Sequence, residues 1–211
     1  VNNNGTFGDG FAVGALEDCF TGQQVPSCEY PKGSNVRYLF AGAFWIGAVV
    51  NRDTLVSEGA DGWSRFGSEF YPDEIPFGLM KYRSIKFPDN DELYSGAVSE
   101  EDYIAVYADT FTDGVPNDYF GRPHIPLNIE VTQRSFAWSY PYAEDFVLFD
   151  YEIRNIGSSR LRNVYMGVYV DGDVMFESDQ GGNPTDNRHN DDICGFLESL
   201  PSADGSGFVD T

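Results

Sequence analysis

The chain has 211 residues, of which 41% are hydrophobic and 16% aromatic, so it is long enough and apolar enough to bury a substantial core. Its 34 acidic residues against 13 basic ones give a formal net charge of −21 at pH 7. A surface of that sign repels phosphate backbones and anionic lipid headgroups and attracts multivalent cations, which argues against nucleic acid as a partner. The longest apolar run, residues 39–50, is shorter than the roughly 20 residues of a membrane-spanning helix, so no membrane span is expected.

Residues 1–35 are rich in glycine and asparagine and predict an N-terminal arm. Apolar residues recur in it at Phe7, Phe11 and Val13, too few to form a core of their own. An unpaired strand of this kind is a template for strand addition. We expect the arm either to add to the sheet of a neighbouring copy, which would make a homo-oligomer or polymer, or to fold back as an edge strand of its own domain.

Cys19 and Cys28 enclose a turn-rich loop of eight residues. A local disulfide can close a loop of this size in an oxidising compartment, and the alternative is two free buried thiols.

Residues 36–211 predict an all-β domain, a β-sandwich of the immunoglobulin-like or jelly-roll type with long loops. Two β-prone runs within residues 36–56 surround the junction at Asn51 and predict a hairpin. A second pair of alternating runs, residues 146–154 and 164–170, flanks a turn at 155–159 and predicts a sandwich hairpin.

One short helix is predicted. Ser99 and Asp102 have the spacing of a helix-capping signature just before Tyr103 and Ile104, so the helix is expected to begin there. Residues 128–140 alternate clearly between apolar and polar and predict another strand.

The segment that follows residue 170 is crowded with oxygen ligands. Its spacing is not that of an EF-hand, but carboxylates so close together repel one another unless a cation screens them, and Ca²⁺ takes six to eight such oxygens. We predict a calcium site here, against the alternative of a solvated acidic loop. The candidate ligands are Asp171, Asp173, Asp179, Asp186, Asn187, Asp191 and Asp192.

The sequence offers no evident catalytic set, and no enzyme activity is predicted. Its two histidines are His124, which lies between two prolines and is predicted to be a packed structural residue, and His189. Cys194 has no histidine beside it and is expected to be a small buried residue rather than a nucleophile. Aromatic residues such as Trp138 and Tyr140 suit either stacking on sugars or internal packing.

Four stretches of the chain carry a resemblance to a known family. Residues 33–63, 99–113, 121–157 and 191–196 resemble the N-terminal region of large, uncharacterised secreted surface proteins of Bacteroidetes-type bacteria exported by type IX secretion. The segment FDYEIRNIGSSRLRNVYMGVYVDGD is also similar to immunoglobulin-like adhesion domains of bacterial surface proteins. These resemblances imply β-sandwich modules at an extracellular or cell-surface location and imply no enzyme activity.

Together these features predict a non-catalytic extracellular structural protein, a self-assembling subunit of a surface layer, tube or filament stabilised by calcium. The alternative is a calcium-dependent carbohydrate-binding or adhesion module of a larger secreted protein, with a glycan as its ligand.

Overall fold

The computed structural model describes residues 2–7, 28–31, 33–34, 36–60, 68–72, 80–115, 117–118, 120–172 and 174–176. These residues confirm the all-β class, because they form antiparallel sheets that pack against each other as in a sandwich. In chain order the elements are β1 (Thr6–Phe7), β2 (Val36–Arg37), β3 (Ala41–Val50), β4 (Asp53–Glu58), β5 (Tyr71–Pro72), β6 (Lys81–Arg83), α1 (Asp91–Tyr94), β7 (Glu101–Ala108), β8 (Ile129–Ala137), β9 (Leu148–Asn155), β10 (Leu161–Asp171) and β11 (Met175–Phe176).

Each of the two main sheets is organised around a central strand. In the first sheet β3 pairs with β10 along one edge, while β4 and the short β1 share its other edge. In the second sheet β8 lies between β7 and β9, and β5 and β6 share the far edge of β7. A two-stranded ribbon of β2 and β11 lies outside both sheets.

The predicted hairpin around Asn51 is confirmed as β3 and β4. Asn51 has a φ of 56°, the left-handed conformation that asparagine tolerates in tight hairpin turns. The pairing runs from Val50 opposite Asp53 to Trp45 opposite Glu58.

The predicted hairpin at residues 146–170 is wrong, although both of its strands exist. β9 pairs with β8 in the second sheet, and β10 pairs with β3 in the first, so residues 156–160 cross from one sheet to the other. Asn155 shapes the crossing, since its side chain accepts from the Gly157 N–H at 3.0 Å and donates to the Ser159 carbonyl at 2.9 Å. Alternation identified the strands but carries no information about which strand each one pairs with.

The helix predicted after Ser99 is also wrong, because that segment is strand β7. Ser99 and Asp102 do interact: the Asp102 carboxylate accepts from the Ser99 N–H at 2.8 Å and from the Val98 N–H at 2.7 Å. The chain continues as a strand because β6 and β8 pair with β7 on both sides. The short helix that the structure describes is α1, where Asn90 accepts from the Leu93 N–H as its N-cap.

The core lies between the two sheets. The ring of Phe44 from β3 stacks on Tyr151 of β9 at a centroid distance of 5.0 Å and also contacts Phe70 at 6.3 Å. The buried core side chains are Phe44, Ile46, Ala48, Phe70, Ala105, Tyr107, Leu127, Ile129 and Val131.

One buried carboxylate ties the two sheets together. Asp109 follows β7 and is completely buried. It accepts from the Ser57 hydroxyl of β4 at 2.6 Å and from the backbone N–H groups of Leu127 and Ile129 at 2.7 and 2.8 Å. Each of these three donors would be left unsatisfied in the interior without it.

We expect Asp109→Ala to lower the free energy of unfolding by about 3 to 5 kcal/mol, because three buried donors lose their acceptor. Asp109→Asn keeps one acceptor oxygen and should cost about 2 kcal/mol. Denaturant unfolding measures both, with the exposed Asp113→Asn as the matched control. A loss below about 1 kcal/mol for Asp109→Ala would contradict the bridging role.

His124 is buried beside this carboxylate, in agreement with its predicted structural role. Its Nε2 lies 2.7 Å from the Asp109 carbonyl oxygen. Its Nδ1 lies 2.9 Å from Glu69 Oε1, a contact that is poorly aligned for a hydrogen bond and becomes an ion pair when the ring is protonated. Burial disfavours the charged ring, but the contacts with Glu69 and Asp109 outweigh it and raise the pKa of His124 above its ordinary value.

A raised pKa in the folded state makes stability depend on pH. The contribution of charged His124 is fully present below its unfolded pKa, about 6.5, and is lost as the pH rises through the raised folded pKa. We therefore expect the free energy of unfolding of the wild type to fall, relative to His124→Gln, as the pH rises above about 6.5. Denaturant unfolding across pH 5–9 tests this, and Glu69→Gln should flatten the difference. A difference that grows with pH would contradict it.

Candidate functional site

The main unusual feature is an apolar strand face, on β10, that no other strand among the described residues covers. Directly opposite residues of paired strands lie on the same face of a sheet. Met166 and Val168 of β10 lie opposite the core residues Ile46 and Phe44, so they point toward the interior side. They are nevertheless 59% and 50% exposed, and Val170, on the same face, is 61% exposed.

The relative positions of the sheets explain this exposure. The Phe44–Tyr151 stack places β3 opposite β9, and the Ser57–Asp109 hydrogen bond places β4 toward β7. β10 lies one strand beyond β3, past the last strand of the second sheet. Among the residues that the structure describes, no strand lies opposite it or pairs with the outer edge of β9.

We call this region the open side, defined by the outer edge of β9 and the inner face of β10 with Val164, Met166, Val168 and Val170. An added strand would pair with the outer edge of β9 and cover the apolar face of β10 in one step. Burying the exposed half of each of these side chains under such a strand contributes on the order of 1 kcal/mol to the free energy of binding the strand.

The beginning of the predicted arm lies in its own domain. Thr6 and Phe7 pair with Ala43 and Gly42 of β3, and the ring of Phe7 stacks on Phe149 at 5.4 Å. Gly42 is required here, because a Cβ at that position would lie 2.1 Å from the Phe7 ring. This is the folded-back alternative for residues 6–7. Phe11 and Val13 lie outside the described residues.

The structure describes one of the two cysteines of the predicted disulfide. Cys28 is exposed and forms no disulfide with any residue that the structure describes. Cys19 lies outside the described residues, so the pairing stays a prediction.

Of the predicted calcium ligands, the structure describes Asp171. Its carboxylate accepts from the Tyr169 hydroxyl at 3.2 Å, and its backbone carbonyl accepts from the Phe40 N–H at 3.0 Å. The described part of the chain brings together no group of three or more potential metal ligands. The other predicted ligands, Asp173, Asp179, Asp186, Asn187, Asp191 and Asp192, lie outside the described residues, and the calcium site stays a prediction.

A groove of about 570 Å³ lies where β7 begins and β8 ends. Trp138 and Tyr30 both line it, and a hydrogen bond from the Tyr30 hydroxyl to Asp145 raises the pKa of Tyr30. The lining is acidic apart from Lys86, which lies 3.5 Å from Glu100. Its carboxylates are those of Glu29, Glu100, Glu101, Glu144 and Asp145.

Sequence reasoning identified the residues of the open side as a strand but missed their exposure. An alternating pattern shows that one face is apolar and does not show whether a second sheet extends far enough to cover it. The sequence carried only a weak indication of this exposure. Residues 164, 166, 168 and 170 are valine or methionine, whereas the corresponding face of β3 carries the large aromatic residue Phe44.

Comparison of the chain with protein-family models, curated proteins and solved structures finds no match. Among the described residues, no helix is long and apolar enough to cross a membrane. The site is therefore interpreted from its own geometry.

Proposed function

We propose that this chain is a non-catalytic extracellular structural protein whose copies assemble into a surface layer, tube or filament by strand addition. The open side is the observation that carries the proposal. It combines an edge of β9 with which no described strand pairs and an exposed apolar face on β10, and these are the two requirements for accepting a strand from another copy.

The donor in this proposal is the N-terminal arm of a second copy. Phe11 and Val13 supply apolar side chains at alternate positions, which suits a strand with one face on β10. Residues 2–7 keep their place beside β3, so the donor segment begins after Phe7. A contact between two different surfaces of the same chain extends into an open polymer unless its rotation closes a ring.

We expect Val168→Lys to abolish the strand-addition contact between copies, and so to reduce assembly below that of the wild type, while leaving the monomer folded. Val168 is half exposed in the single chain, so a lysine there stays solvated, but a strand added over it would bury the charge. Sedimentation velocity and negative-stain microscopy measure the assembly, and circular dichroism checks the fold.

The matched control for this variant is Tyr165→Lys. Tyr165 lies on the same strand but on the opposite face, opposite Gly47, and is 78% exposed. It should assemble like the wild type. Equal assembly by Val168→Lys and the wild type would rule out the open side as the joining surface.

Calcium belongs to the same proposal, as a stabiliser of the segment that begins at Asp171. A cation that binds the folded chain and not the unfolded one raises stability, by about 2.7 kcal/mol at a free concentration 100 times its Kd. Excess chelator should therefore lower the melting temperature, and Ca²⁺ but not Mg²⁺ should restore it.

The melting temperature of Asp171→Asn and of Asp173→Asn should respond less to chelator than that of the wild type. A melting temperature that is indifferent to chelator in the wild type would mean that the acidic segment is simply solvated.

Extracellular placement is part of the proposal and rests on the predicted resemblance to secreted surface proteins. A Cys19–Cys28 disulfide belongs with it, because disulfides persist in oxidising compartments. The high acidity of the chain is compatible with such a location, where divalent cations are available to screen it.

The second candidate function is a calcium-dependent carbohydrate-binding or adhesion module. The observation that favours it is an exposed aromatic pair after β8. Tyr140 and Tyr142 stack at a centroid distance of 5.5 Å, and Tyr142 is 81% exposed. Such a platform suits the apolar face of a sugar ring. A chain that stays monomeric and binds a glycan array through Tyr142 would favour this function over assembly.

A further inference from the structure

A cluster of three arginines lies at one end of the sandwich. Arg52 is in the β3–β4 turn, and Arg160 and Arg162 lie at the start of β10. Together with Asn51 they line a cavity of about 470 Å³, and Arg162 donates to the Asn51 carbonyl at 2.6 Å. We call this group the arginine end.

The arginine end is unusual because no acidic residue among those that the structure describes forms an ion pair with it. Elsewhere Arg134 contacts Asp150 and Glu152, and Arg154 contacts Glu130. By contrast, none of the three clustered arginines forms a salt bridge with an acid in the described part of the chain. In a chain with 34 acids and 13 bases, three exposed and unneutralised guanidinium groups in one place point to a negatively charged partner.

The acidic groove lies at the opposite end of the same strands. Val49 pairs with Arg162 at the arginine end, and Ala41 pairs with Asp171 nine residues along β10. That separation corresponds to about 30 Å. Phe149 at the start of β9 stacks on Phe7, whose ring lies against Gly42, so the start of β9 is near Ala41. The start of β9 pairs with the end of β8, where the groove lies, so the groove is at this end too.

We propose that the arginine end of one copy binds the acidic groove of the next, joining copies head to tail along the strand direction. The inference rests on the proposed assembly function and adds a second contact to it. The groove complements the cluster in sign, with five carboxylates against Lys86, and its Trp138 and Tyr30 offer aromatic faces on which guanidinium groups stack.

The overall charge of −21 does not prevent this contact at moderate salt. The screening length is about 10 Å at 0.1 M salt, so distant negative charges of two copies repel weakly. Charges in direct contact still attract. Because the two surfaces lie at opposite ends, the contact is heterologous and propagates. Combined with lateral strand addition, it provides the two independent directions that a layer needs.

Charge reversal tests the contact in the Val168→Lys background, where lateral addition is blocked. Sedimentation velocity at 0.1 M NaCl should show end-to-end association in this background. Arg160→Glu with Arg162→Glu should weaken the association by about tenfold or more, and Glu144→Lys with Asp145→Lys should do the same. Mixing the two reversed proteins, or combining all four substitutions in one chain, should restore association.

The matched control is Lys81→Glu with Arg122→Glu, which changes the net charge by the same amount as the arginine reversal at exposed positions that line neither the groove nor the arginine cavity. It should associate like its parent. Unchanged association of the arginine-reversed protein would overturn the inference while leaving strand addition intact. Association that survives Val168→Lys and is lost on arginine reversal would support the end contact even if strand addition fails. Binding of polygalacturonate through Arg160 and Arg162 without self-association would assign the cluster to an anionic glycan and overturn the inference.

Discussion

The sandwich depends on one buried negative charge. Apolar packing between the sheets is non-directional, and Phe44 against Tyr151 or Phe70 would tolerate small shifts of one sheet over the other. Asp109 removes that freedom, because its carboxylate bonds Ser57 of the first sheet and the backbone of Leu127 and Ile129 at the start of the second. The relative position of the two sheets, and therefore the overhang of β10, follows from this bridge.

The overhang links fold and proposed function. With β3 held opposite β9, the first sheet extends one strand beyond the described strands of the second sheet. Exposed apolar patches on soluble proteins commonly mark interaction sites. Natural sandwiches usually protect the edge strands of their sheets by charge, bulges or short strands. β10 has a bulge between Arg162 and Tyr165, but its remaining residues run regularly to Asp171. The bulge therefore protects β10 only at the end of the strand that carries Arg162.

The fold class and most of the strands could be predicted from the sequence, but not which strand pairs with which. The hairpin at Asn51 was predictable because a tight turn forces adjacent strands to pair. β9 and β10 could also be predicted as strands, because apolar and polar residues alternate in both. They nevertheless belong to different sheets, since the five residues between them are long enough to cross the core. Ser99 and Asp102 form the expected local hydrogen bonds, but the neighbouring strands decided the conformation of the residues that follow.

The candidate sites were less predictable than the fold for a related reason. The acidic segment after Asp171 and the arm at Phe7 were visible as composition and pattern. The open side, the acidic groove and the arginine end combine residues far apart in the chain, such as Arg52 with Arg160, and no local pattern marks such a combination. Arg52 and Arg160 come together only through the register between β3 and β10.

The position of β3 also bears on how the chain folds. The three long strands of the second sheet, β7, β8 and β9, follow one another and pair as neighbours. By contrast, one edge of β3 pairs with β10, which lies more than 100 residues later in the chain: Val50 pairs with Leu161 and Ala41 with Asp171. Pairings between distant segments form slowly because the loop must close first. The second sheet is thus the natural early structure, and the β3–β4 hairpin has one open edge until β10 arrives. During synthesis from the N-terminus, this edge of β3 stays without its partner until β10 has been made, so β3 is the strand that a chaperone would most need to protect.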